Sequence, residues 1–186
     1  AMRIYSNSDF EYIHDLTIQP GSDYKTWHTE DDGNKCIEVK QNMKGTQFKI
    51  SKTIDSSEIQ ALVMEMDLKL IDPTSGGLAL SVLRSATQQW SIDMKLNAGS
   101  VVAGGKTVAK LSTKNWTKIA IVNKFSQKAY DVYVNDEQVA TGIPYSGTIS
   151  TTIDQVSTLL QNTAECHLLI DNYKLYEADK PQEIAP

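Results

Sequence analysis

The strongest constraint on this chain is the period at which its apolar side chains recur. In LVMEMDLKL (62–70), Leu62, Met64, Met66, Leu68 and Leu70 share one face, and Val63, Glu65, Asp67 and Lys69 share the other. Successive side chains of an extended strand point to opposite faces, so this alternation marks a strand with one buried side. QWSIDMKL (89–96) sets Trp90, Ile92, Met94 and Leu96 against Gln89, Ser91, Asp93 and Lys95. GGLALSVL (76–83) sets Leu78, Leu80 and Val82 against Ala79, Ser81 and Leu83. In KAYDVYVNDEQVATG (128–142), Tyr130, Val132 and Val134 alternate with Ala129, Asp131 and Tyr133. Asn135 and Asp136 tolerate the left-handed backbone of a tight turn, so this stretch reads as a hairpin.

The same pattern predicts strands at 35–40, 46–54, 116–123 and 166–176, with weaker ones at 10–18, 24–29 and 100–111. TTIDQVSTLLQ (151–161) fits a short helix or a strand equally. Many short strands, turn signals between them and almost no helix predict an all-β, antiparallel two-sheet sandwich, a jelly roll. The 186 residues suit a single core. The expected domain covers 1–178, and the polar, proline-bearing 179–186 reads as the start of a linker or tail. Ala1 ahead of Met2 reads as a cloning remnant.

A net charge of −5, with Arg3 and Arg84 the only arginines, argues against nucleic-acid binding. No apolar run reaches the length of a membrane-spanning helix. Cys36 and Cys166 belong to no C-x-x-C pair; two buried thiols and a disulfide between an early and a late strand both fit.

Three stretches resemble a known group. WTKIAIVNKFSQKAYDVYVNDEQVATG (116–142) is similar to a strand pair of concanavalin-A-like and laminin-G-like jelly rolls. LLIDNYKLYE (168–177) resembles the closing strand of many such domains and of carbohydrate-binding modules. NSDFE (7–11) with KTWHTEDDGNKCIEV (25–39) resembles the first strands of modules attached to polysaccharide-degrading enzymes. The resemblance implies a non-catalytic carbohydrate-binding module, extracellular or at a cell surface, a monomer tethered to other modules. It also implies one structural Ca2+ between Glu11 and Asp171, with Asp9 as a further candidate ligand; Asp171-Asn172 reads equally as a bulge in the last strand.

Catalysis is not expected. Glycosidases of this fold often carry E-x-D-x-E on one strand, placing their acids side by side. The nearest match here, Glu65 to Lys69, ends in a lysine, and Lys69 is expected to neutralise Glu65 and Asp67. His14, His28 and His167 show no metal-ligand spacing, and no nucleophile-elbow motif is present.

Sugar recognition needs aromatic rings for the apolar faces of pyranoses and polar groups for their hydroxyls. Trp90 and Tyr130 are in core phase, and the jelly-roll resemblance implies a buried tryptophan at Trp116. Tyr133 is out of phase, and Tyr24, Trp27 and Tyr145 fall in irregular stretches, so these four are the candidate stacking residues. Gln89, Asp93, Lys95 and Asp131 are the candidate polar contacts. The acids Glu65, Asp67, Asp93 and Asp131, set beside Lys69, Lys95 and Lys118, favour a neutral glycan over a uronic-acid polymer. The alternatives are a structural or adhesion sandwich without glycan affinity, then a jelly-roll lyase or glycosidase.

Overall fold

The computed structural model describes residues 17–19, 24–41, 48–160 and 165–182. Fourteen strands are described: β1 (Thr17–Gln19), β2 (Tyr24–Thr29), β3 (Lys35–Gln41), β4 (Lys49–Thr53), β5 (Ala61–Leu70), β6 (Leu78–Ser85), β7 (Trp90–Asn97), β8 (Ser100–Ala103), β9 (Lys106–Lys110), β10 (Thr117–Lys124), β11 (Ala129–Val134), β12 (Glu137–Pro144), β13 (Ile153–Leu160) and β14 (Cys166–Glu177). Their pairings are antiparallel, and they form two seven-stranded sheets. Sheet A runs β1-β4-β13-β6-β7-β8-β9, and sheet B runs β12-β11-β10-β5-β14-β3-β2. Among the described residues the helical element is one 3-10 turn, Phe125–Gln127; no helix there is long and apolar enough to cross a membrane.

The alternating residues do what their period requires. Leu62, Met64, Met66 and Leu68 from β5 are fully buried between the sheets with Ile119 and Ile121 of β10 and Leu168 and Ile170 of β14. The hairpin is present as read: Asn135 and Asp136 have φ of 49° and 70°, and Val134 pairs with Glu137. Two positive φ values in a two-residue turn match the twist of the strands it joins. Residues 151–161 resolve the helix-or-strand ambiguity toward strand, since β13 joins β4 to β6.

The alternation fails where the strands bulge. Leu80 and Leu83, three apart on β6, both face the core, and the β13–β6 register slips between Ser157 and Leu159. On β7, Met94 has φ 53°. An inserted residue exchanges the two faces for everything beyond it. Met94 and Leu96 therefore point inward, while Trp90 is 42% exposed, in contrast to its core phase in the sequence. β14 changes phase in the same way: its register slips between Asp171 and Lys174, Asn172 has φ 49°, and core residues run Leu168, Ile170, then Tyr173, Leu175.

Sheet B has no wet outer face at its centre. Val63, Ala120, Val122 and Tyr176 form a second buried cluster there, with Ala61, Tyr133 and Ala178 packed against it. Gln182 N–H donates to Tyr176 Oη at 3.0 Å, and Pro181 is buried, so residues beyond β14 fold back along this side.

Both cysteines are buried thiols, and burial pushes each up to about 12. Cys166 lies opposite Gln41, five residues along β3 from Cys36. At about 3.3 Å per residue that offset is far beyond disulfide reach, so the bridge is excluded by the pairing.

Candidate functional site

The open polar face of the molecule is the outer side of sheet A, and Trp90, at the start of β7, is its exposed ring. The β6–β7 pairing sets Trp90 opposite Arg84 and Ile92 opposite Val82. β13 places Gln155 beside Arg84, and Thr53 of β4 lies on the other side of Gln155. The phase change at Met94 therefore delivers an indole, a guanidinium and an amide in one row across three strands. Lys49 reaches this row from β4: its Nζ lies 5.9 Å from the Trp90 ring centroid and donates to Gln155 Oε1 at 2.7 Å. Arg84 Cζ lies 6.0 Å from the same centroid. A cation at this distance is attracted by the negative face of the ring.

The charges in this row are unbalanced. Arg84 Nε donates to Asp154 Oδ1 at 3.0 Å. Burial, then the neighbouring charge of Arg84, holds the Lys49 ammonium below its usual range. Ser157, one step along β13 between Ser51 and Val82, has a buried hydroxyl with no hydrogen-bond partner. The face thus presents an apolar ring, two cations and an amide.

A loop frames it. Residues 145–150 lie against β7 through groups that the sequence offered as ligand contacts. Asp93, 4% exposed, accepts Ser146 N–H at 2.9 Å on Oδ1 and Ser91 Oγ–H at 2.5 Å on Oδ2. Ser91 Oγ accepts Gly147 N–H at 3.1 Å, and Gln89 Oε1 accepts Ser150 N–H at 2.9 Å. The loop comes so close that a Cβ on Gly147 would stand 2.0 Å from Trp90 O. Asp93 and Gln89 are anchors of this loop, because the bulge turned Asp93 inward with Ser91.

The other sequence candidates are dispersed. Lys95 is exposed on β7, on sheet A. Tyr145 is half-buried, stacked on Tyr130 with centroids 6.1 Å apart, and donates to Asn123 Oδ1 at 3.3 Å. Burial, and then the charge of Asp93, pushes both phenols above their usual range. Tyr133 packs half-buried on the small cluster of sheet B. Asp131 is 3% exposed and accepts Gly142 N–H at 2.8 Å and Thr141 Oγ1–H at 3.0 Å, with Lys124 Nζ at 2.8 Å. Tyr24 and Trp27 lie on β2, the edge of sheet B, where the backbone alone is described. Gln89 and Asp93 therefore never share a face with Asp131 and Tyr133; they sit in different sheets.

Acids expected to be solvated on β5 are also committed elsewhere. Glu65 is buried, accepting from Tyr176 Oη with Lys174 Nζ 3.9 Å away. Lys69 pairs with Glu30 at 2.6 Å, and not with Glu65 or Asp67. Trp116 is half-buried, its Nε1–H on Glu30 Oε1 at 3.1 Å and Lys69 Nζ 5.8 Å from its ring. Asp171 accepts from Asn34 Nδ2 at 3.1 Å and from Asn172 N–H at 2.8 Å. Glu11 and Asp9 lie outside the described residues. Among the described residues no three acidic, histidine or cysteine side chains converge, so those residues do not compose a calcium shell.

The signal for Trp90 was present in the sequence. Continuing the Leu78, Leu80, Val82 phase of β6 puts Arg84 in the core, which is untenable for an arginine. A bulge before Arg84 resolves it and carries the paired Trp90 outward with Arg84.

No protein-family model matches this chain, and no curated protein matches it. Solved structures do share its fold. A sialidase superposes with a TM-score of 0.60 at 12% identity over 89% of this chain, which spans 17% of that protein. Domain 4 of AbnA, a GH43 extracellular arabinanase from Geobacillus stearothermophilus solved with arabinotriose, gives 0.56 at 16% identity, covering 89% of this chain and 84% of that one. Alginate lyase vAL-1 from Chlorella virus gives 0.54 at 12% identity, covering 90% and 95%. Identities this low establish the jelly-roll architecture.

Proposed function

We propose that this chain is a non-catalytic carbohydrate-binding module that takes a polysaccharide on the outer face of sheet A. The observation that carries the reading is Trp90, a large ring left open to solvent at the start of β7 and bordered by Arg84, Lys49 and Gln155. An indole in that setting offers a pyranose an apolar platform with hydrogen-bonding groups at its rim. The likeness to an isolated arabinanase domain solved with arabinotriose supports the reading, as does the chain's match to part of a sialidase. On this reading the module works outside the cell, as a monomer tethered to a larger enzyme.

Native affinity electrophoresis against soluble polysaccharides tests this. Retardation is expected for one glycan class, and Trp90→Ala is expected to weaken it about thirtyfold or more, the scale of a central aromatic anchor. A folded protein retarded by none of them, or a Trp90→Ala variant that binds unchanged, removes this site.

The alginate-lyase likeness, over 95% of that chain's length, favours one second reading, a lyase. It requires chain cleavage with formation of unsaturated uronate ends, which ultraviolet absorbance of an incubated polymer detects directly.

A further inference from the structure

The strands of sheet A carry Lys49, Lys52, Arg84, Lys95, Lys106 and Lys110 against Asp93 and Asp154. Asp93 is turned inward and Asp154 is bonded to Arg84. The protein as a whole has a net charge of −5. A sheet so basic within an acidic chain creates a local positive potential where the body of the molecule is negative. Of the acids that favoured a neutral ligand, Glu65, Asp67 and Asp131 belong to sheet B, where Glu65 and Asp131 are buried and bonded and Asp67 holds Asn172 at 2.7 Å.

Position matters as much as sign. A pyranose stacked on Trp90 carries its C5 substituent out past the edge of the ring. The head groups of Arg84 and Lys49 stand over the ring, 6.0 and 5.9 Å from its centroid, so the carboxylate of a sugar set against the exposed part of the indole comes to them. Arg84 uses Nε for Asp154, which leaves the planar pair of terminal nitrogens facing away from that bond, the geometry that receives a carboxylate in two parallel hydrogen bonds. Lys49 is partly desolvated and close to Arg84, so an anion placed between them relieves the repulsion of two like charges.

We propose that the Trp90 face selects a carboxylated sugar polymer, a polyuronate, with the sugar ring on Trp90 and its carboxylate on Arg84 and Lys49. This rests on the reading of the Trp90 face as a glycan site, and replaces the neutral preference drawn from sequence.

The test is titration calorimetry of the intact protein with polygalacturonate, alginate, a carboxyl-reduced polygalacturonate, a sulfated galactan and neutral arabinan. One of the two polyuronates is expected to bind, and its carboxyl-reduced counterpart or arabinan at least about tenfold more weakly, the scale of a hydrogen bond to a charged group. Arg84→Gln and Lys49→Gln, each checked for an unchanged urea midpoint, are expected to lose about tenfold each. Salt of about 1 M, which shortens the screening length to about 3 Å, is expected to weaken binding too. Equal binding of arabinan or the carboxyl-reduced polymer, with both variants unaffected, overturns the carboxylate assignment and leaves the glycan site standing. Stronger binding of the sulfated galactan reassigns the anion. Binding by no polymer removes the glycan site and this assignment together.

Discussion

Asp131 shows how a polar residue on the wet phase of a strand differs from a ligand contact. Its phase on β11 is polar, so the sequence offered it for binding. In the fold its carboxylate bridges β11 to the bulged stretch of β12, taking the Gly142 amide, the Thr141 hydroxyl and the Lys124 ammonium. Burial raises its pKa, but Lys124 and the two hydrogen bonds outweigh that and hold it below the usual range. Asp131→Ala strips three donors of their acceptor at once. It is expected to cost about 1–3 kcal/mol in urea unfolding and to leave glycan affinity within error, since Trp90 lies on the opposite sheet. A loss of affinity without a loss of stability makes Asp131 a binding residue after all.

At the scale of the element, the loop 145–150 and strand β7 act as one unit. Four hydrogen-bonding groups on residues 89–93 receive the loop, and Gly147 lets it come within backbone contact of Trp90. Gly147→Ala puts a methyl against Trp90 O with only main chain to yield. The expected result is a destabilisation of about 1–3 kcal/mol, as for overpacking, together with weaker glycan binding as the support of the indole shifts. Denaturant titration and electrophoresis of the same variant check the two halves. The element scale is also where legibility in the sequence ended. Period two located nearly every strand, and Asn135-Asp136 located its turn. Register slips at β6 and β14, with the left-handed Met94 of β7 following β6, then exchanged faces in mid-strand, and no local propensity marks such a change as the charge of Arg84 did. Trp90 was consequently assigned to the core and Asp93 to the surface, the reverse of their positions.

Over the whole molecule, sheet B is held by one chain of ionisable groups. Glu30, in the turn between β2 and β3, takes Lys69 of β5 at 2.6 Å, and Trp116 just ahead of β10 and Asn34 at 3.1 Å each. Asn34 continues to Asp171 of β14, which lies opposite Asp67 of β5. Burial works to raise the pKa of Glu30, but Lys69, Asn34 and Trp116 together hold it below its ordinary value. A carboxylate lowered by folding adds stability that is complete above the ordinary glutamate range, about 4.3, and is lost as pH falls through the lower folded value. Asp67 has the opposite sign: burial first, and then the charge of Asp171, raises it against the Asn172 hydrogen bond. Its folded form binds a proton more readily than the unfolded chain, so acid relieves a strain that neutral pH imposes. Urea midpoints followed from neutral pH down to about pH 3 are therefore expected to fall for the parent protein. Glu30→Gln starts lower and loses less over that interval, whereas Asp67→Asn starts level or higher and loses more. Parallel curves for all three proteins would show that neither carboxylate changes its proton affinity on folding, and would detach the turn at Glu30 from the stability of the sheet.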